Sequence, residues 1–100
     1  MSIKPKSGIS METLERCAAA FRVLSHAHRL KIVELLAEHD LAVGELADRL
    51  GLSQAACSQH LNLMRAHGLL AARRDGKTVY YEVANPSALK ILECIRKHEA

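Results

Sequence analysis

Two amphipathic helical patterns, over about residues 43–50 and 54–66, are separated by only Gly51, Leu52 and Ser53. A joint that short forces the two helices to cross at a tight turn, the geometry of a helix-turn-helix unit. Gly51 ends the first pattern, whose core face is Val43, Leu46, Ala47 and Leu50. Ser53 is placed to cap the second, because its hydroxyl can accept from a free N–H of the first turn.

Periodicity extends this pair in both directions. Behind Ser10, the series Leu14, Cys17, Ala18, Phe21 and Leu24 predicts a helix over 11–24. Leu30, Val33, Leu36 and Ala37, widened by Ile32 and Leu35, predict another over 27–38. The run Leu41-Ala42-Val43 fits either a stub of strand or the approach to the next helix. Past Gly68 the apolar period changes to two, with Val79, Tyr81 and Val83 alternating with Thr78, Tyr80 and Glu82. Leu70 to Arg74 is the partner strand, and Asp75-Gly76 supplies the positive backbone angles of a tight hairpin turn. Asn85-Pro86 then opens a last helix carrying Ala88, Leu89, Ile91, Leu92, Cys94 and Ile95, an apolar surface wider than one small core needs.

The expected fold is therefore mostly α with a β-hairpin wing, a winged helix-turn-helix in the order α-α-α-α-β-β-α over residues 10–100. Residues 1–9, with Lys4, Pro5, Lys6, Ser7 and Gly8, bury nothing and read as a flexible arm. A chain of 100 residues makes one small domain, and scarce aromatics (Phe21, Tyr80, Tyr81) favour closely packed helices. A core that size is marginal alone, and dimerisation is a common way to enlarge it. Cys17, Cys57 and Cys94 are odd in number and without C-x-x-C spacing, which argues for a reducing compartment. No membrane span and no signal peptide are legible, so the expected location is cytoplasmic.

A helix can enter the major groove when one face packs on its domain and the other offers small, polar or basic side chains. At about 100° per residue, Cys57, Leu61 and Met64 share the inward face of the 54–66 helix. Ala55, Ser58, Gln59, Asn62 and Arg65 lie opposite, with Gln54 at the margin and no carboxylate among them. Gln can pair with adenine, Ser can meet base or phosphate, and Ala allows close approach or contact with a thymine methyl. Ser53 marks the positive end of the helix dipole, suited to a phosphate. The hairpin that follows carries Arg73, Arg74 and Lys77 against Asp75. With His60 and Tyr80, these residues form the expected contact set for double-stranded DNA. The +3 net charge permits a polyanionic partner without demanding one.

The phrases L-x-x-x-x-R-L-x-I-V-x-L-L at Leu24 to Leu36, S-Q-x-x-x-S-Q-H-L at Ser53 to Leu61 and G-K-T-V-Y-Y at Gly76 to Tyr81 also carry a resemblance. Together they make the chain similar to the ArsR/SmtB family of bacterial repressors over nearly all of residues 14–98. That resemblance implies a homodimer joined through the first and last helices, an inverted-repeat operator, and release from DNA on arrival of a ligand or chemical signal. The inducer is unidentified: a metal, a thiol-reactive agent or another small molecule.

The metal sites best known in the family are missing here. The third helix holds Glu45-Leu46-Ala47-Asp48-Arg49 with no cysteine, and Asn85 and Ser87 stand where other members carry Asp-x-His, leaving only His98 nearby. No metal and no cofactor are expected. Cys17 and Cys94 fall on the two helices of the implied interface and are the tentative effector residues, although apolar packing is the simpler role for both. Cys57 and His60 have ligand-pair spacing, but Cys57 faces inward. His26 and His28 precede the second helix and suit capping or solvent contacts, while His39 and His67 suit helix C-termini. No nucleophile elbow, phosphate loop or H-E-x-x-H is present, so an enzyme is not expected. The alternatives are a winged-helix module for protein contacts and a constitutive regulator with no inducer.

Overall fold

Residues 8–99 are described by the computed structural model. The expected arm at 1–9 falls mostly outside them. The element order is α1 (Met11–Leu24), α2 (Ala27–Glu38), β1 (Leu41–Ala42), α3 (Val43–Leu50), α4 (Gln54–Ala66), β2 (Leu70–Asp75), β3 (Thr78–Val83) and α5 (Pro86–Lys97). This is a winged helix-turn-helix.

Helix boundaries follow from local chemistry. Ser10 and Ser53 accept the free N–H groups of Thr13 and Ala56, and Asn85 accepts that of Ser87, with Pro86 opening α5. His26 caps α2 through Nδ1, which accepts the N–H of His28 at 3.2 Å. Between α3 and α4, Gly51 turns left-handed at φ 68°, so that the N–H of Leu52 can bond the Ala47 carbonyl and close the joint.

The core lies where α2, α3, α4 and the root of the hairpin converge. Ile32, Val33, Leu46, Cys57, Leu61, Met64 and Leu69 are all buried there. Ala88 and Leu92 of α5 pack onto the same cluster, together with Tyr81 and Val83 of β3. Burying a side chain of Leu or Met size contributes about 1.5–3 kcal/mol, so this cluster dominates the stability of the domain.

One open case is settled and two expectations change. The open case at Leu41-Ala42-Val43 resolves into a strand at Leu41–Ala42 followed directly by α3, so the hairpin belongs to a three-stranded antiparallel sheet in the order β1-β3-β2. Leu41 pairs with Tyr81 and Ala42 with Tyr80. The hairpin turn is displaced by one residue: Asp75 pairs with Thr78, leaving Gly76-Lys77 as the loop. Positive φ occurs at Gly76 (64°) and not at Asp75, because a two-residue loop that opens on glycine needs it only at its first position. Finally, most of the apolar stripe of α1 is not core. Within the protomer Val23 and Leu24 are buried, while Leu14, Cys17 and Ala18 are exposed and Phe21 is 52% exposed.

Candidate nucleic-acid interface

The polar side of α4 stands clear of the core. Gln54, Ala55, Gln59, Asn62 and Arg65 are exposed, Ser58 is half-buried, and no carboxylate lies anywhere along the helix. The opposite face, Cys57, Leu61 and Met64, is fully buried and fixes how the helix is rotated on the domain. Ser53, also exposed, leads its N-terminus, where unbonded N–H groups and the dipole favour an anion. Gln54 leans back toward α3. Its amide nitrogen lies 3.4 Å from where a β-carbon on Gly44 would sit, an ordinary packing distance.

The wing leaves the end of α4 within a few residues. Leu69 donates its N–H to the Met64 carbonyl and accepts from the N–H of Ala84, tying the hairpin root to the helix. Among the described residues, Arg74, Lys77 and Arg65 have no carboxylate partner within 4.0 Å. Arg73 differs. Its guanidinium lies 3.6 Å from Asp40 and 3.9 Å from Glu82, and stacks 5.2 Å from the centroid of the Tyr80 ring across the strand pair. Reading Arg73 against Asp75 alone missed two acids, one of them remote in sequence, and the side chain braces the wing against the β1 end of the domain. Tyr80 is half-buried by the same arrangement.

His60 sits against the start of α2. It is half-buried, its ring lies 4.7 Å from that of His26, and its Nδ1 accepts the Nε–H of Arg29 at 3.1 Å. Arg29 also donates to the Val23 carbonyl at 3.1 Å, at the end of α1. Burial holds the pKa of His60 below the usual imidazole range, and the neighbouring His26, Arg29 and His28 add to the effect. The ring is therefore neutral at neutral pH. Neither Arg29 nor the meeting of His26 and His28 with His60 was legible in sequence, although H-x-H at 26–28 was the available signal.

Cys17 and Cys94 are exposed in the protomer, which removes core packing as their role there, while Cys57 is fully buried and its thiol pKa is raised by that burial. An open apolar depression of about 350 Å³ lies between α1, α2 and α5, lined by Phe21, Leu24, Ser25, Leu30, Ile91 and Ile95. Leu14 of α1 and Leu89 of α5 are exposed as well. No helix among the described residues is long and apolar enough to cross a membrane.

Comparison with known proteins bears on this geometry. Residues 26–72 match the family described as bacterial regulatory protein, arsR family. The nodulation protein NolR of Rhizobium meliloti is 42% identical over 81 residues, a match spanning 81% of this chain and 66% of that protein. The crystal structure of NolR from Sinorhizobium fredii superposes with a TM-score of 0.82 at 38% identity, covering 95% of each chain. A homodimeric winged helix-turn-helix DNA-binding domain from Mycobacterium bovis, solved by NMR, aligns with a TM-score of 0.77 at 26% identity, over 94% of this chain and 87% of that one.

Proposed function

The chain belongs to the ArsR family of bacterial regulatory proteins and is a DNA-binding transcriptional regulator, not an enzyme; from that premise we propose that it acts as a repressor, binding an inverted-repeat operator as a homodimer. The observation that carries this reading is the carboxylate-free outer face of α4 beside a wing whose Arg74 and Lys77 are unpaired among the described residues. Gln59, Asn62 and Ala55 read base edges in the major groove, and Gln54, Ser58 and Arg65 flank them. Ser53, Arg74 and Lys77 engage phosphates, which set register without sequence preference. Arg73 and Tyr80 hold the wing in shape at its edge, and His60 supports the helix from behind.

Two copies joined through α1 and α5 cover the exposed Phe21, Leu14, Leu89 and Ile95. The two-fold axis then sets the recognition helices about one DNA turn apart, ~34 Å, which is why the operator is an inverted repeat. Repression follows where that operator overlaps a promoter. A DNA partner places the protein in the cytoplasm. Cys17 and Cys94, exposed on the joined helices, remain the thiols through which a chemical signal could act on the dimer.

A gel-shift titration and hydroxyl-radical footprint on the DNA upstream of the protein's own gene tests the reading. The wild-type chain protects two patches about one turn apart. Ser58→Asp, which sets a carboxylate against the duplex, abolishes the complex without loss of fold. If the wild-type chain forms no sequence-selective complex on any genomic fragment, a protein-contact module is the better description.

A further inference from the structure

The strongest unassigned feature of the molecule is a cluster of three imidazoles behind the recognition helix. His26 and His28 come from the start of α2 and His60 from the middle of α4. Each is half-buried, and each offers a ring nitrogen such that the three all lie within 4.8 Å of one another. The ring centroids are 4.7–6.0 Å apart. We propose that His26, His28 and His60 form a binding site for a divalent transition-metal cation of the Zn²⁺ class.

Donor chemistry favours such an ion. Neutral imidazole suits Zn²⁺, Co²⁺, Ni²⁺ and Cu²⁺ and offers little to Ca²⁺ or Mg²⁺, which demand oxygen. Metal–nitrogen bonds of about 2.0–2.1 Å set tetrahedral ligand atoms ~3.3 Å apart, so the donors must close in by side-chain rotation and a small backbone shift. Three protein ligands leave the fourth position for water. Cys57, three residues before His60, is not a ligand, because it is fully buried on the inward face of α4.

Two existing hydrogen bonds compete with the ion. Nδ1 of His60 accepts from Arg29, and Nδ1 of His26 accepts from the His28 backbone. A metal that takes Nδ1 displaces the donor directly. A metal that takes Nε2 drives the ring proton onto Nδ1, turning an acceptor into a donor that faces another donor. Either way the Arg29 to His60 bond is lost, so the ion releases α4 from the end of α1. Resting on the reading of α4 as the recognition helix, metal binding lowers operator affinity, and by linkage DNA lowers metal affinity.

The test is titration of the full-length chain, under reductant, with Co²⁺ as a spectroscopic probe and Zn²⁺ as competitor. One Co²⁺ binds per protomer, with the visible absorption of a four-coordinate ion and no sulfur-to-cobalt charge-transfer band in the near ultraviolet. The double variant His26→Asn and His28→Ala keeps a capping side chain on α2 but weakens binding about 100-fold or more, as does His60→Gln. Arg29→Met tightens binding, since it removes both a competing donor and a like charge. Cys17→Ser with Cys94→Ser changes nothing. Circular dichroism confirms that each variant is folded. Absence of binding, or binding indifferent to the histidine changes, overturns the site. Zn²⁺ then weakens the operator complex of the wild type but not of the double histidine variant; if both respond alike, the coupling is wrong although the site stands. A chain that binds Co²⁺ as described but no DNA supports the site and removes the regulatory reading.

Discussion

Arg29 and His60, 31 residues apart in sequence, are joined by a 3.1 Å hydrogen bond from Nε–H to Nδ1 that fastens the recognition helix to the start of α2. The same guanidinium bonds the Val23 carbonyl at 3.1 Å, so one side chain ties α1, α2 and α4 together. Hydrogen bonds to charged groups are worth about 1.5–3 kcal/mol, and half-exposure trims that range. Arg29→Met should therefore lower unfolding stability by about 1–2 kcal/mol, read as a shift of the urea midpoint at constant m-value.

Turn chemistry gives a second expectation. Gly76 holds φ 64° at the tip of the wing, and nothing lies within 4 Å of where its β-carbon would go, so Gly76→Ala costs backbone strain alone. Left-handed strain on a residue with a β-carbon is about 1–2 kcal/mol. On the proposal that the wing engages phosphates, DNA affinity should fall by a similar amount on specific and random sequences alike. A loss confined to the operator would assign the wing to base reading.

Phe21 is 52% exposed on α1, at the rim of the apolar depression shared with Ile91 and Ile95 of α5. Phe21→Glu should leave helix content intact and convert the protein from dimer to monomer in analytical ultracentrifugation. It should also weaken operator binding steeply, since half-sites are then engaged singly. A variant that stays dimeric would place the interface elsewhere.

Burial raises the Cys57 thiol above the ordinary thiol range, and the thiolate is the reactive form. An alkylating reagent at neutral pH should therefore spare Cys57 in the native protein, and in the monomeric Phe21→Glu variant it should modify Cys17 and Cys94, which are exposed in the protomer, as read by mass spectrometry. The raised pKa means the folded state holds the proton more firmly than the unfolded one. Stability consequently falls as pH rises past the usual thiol range.

Much of this was legible in sequence because the deciding information was local. Helix ends at Ser10, Gly51, Ser53 and Asn85 depend on groups a few residues apart, and the buried face of α4 is a matter of 3.6-residue period. What escaped, or stayed open, depended on pairs distant along the chain. The strand that Leu41 and Ala42 offered as one of two alternatives forms only because Tyr81 and Tyr80 arrive beside them. Arg73 looked like a free cation because Asp40 reaches it only through the fold. The stripe Leu14, Cys17, Phe21 is periodic whether it faces a core or a second subunit, so pattern alone could not say which. His26 and His28 were given local capping or solvent roles and His60 a place in the DNA contact set, and it is the crossing of α2 and α4 that brings the three together.

The most direct measurement is operator and random-DNA affinity across a salt series for the wild type, for Gln59→Ala and for Arg74→Ala with Lys77→Ala. The wing variant should reduce the slope of log affinity against log salt by about 4, two cations in each of two subunits, while preserving the preference for operator. Gln59→Ala should keep the slope and lose about 1–3 kcal/mol of that preference. Unchanged slope in the first variant, or equal loss on both DNAs in the second, would contradict the assignment of base reading to α4 and phosphate binding to the wing.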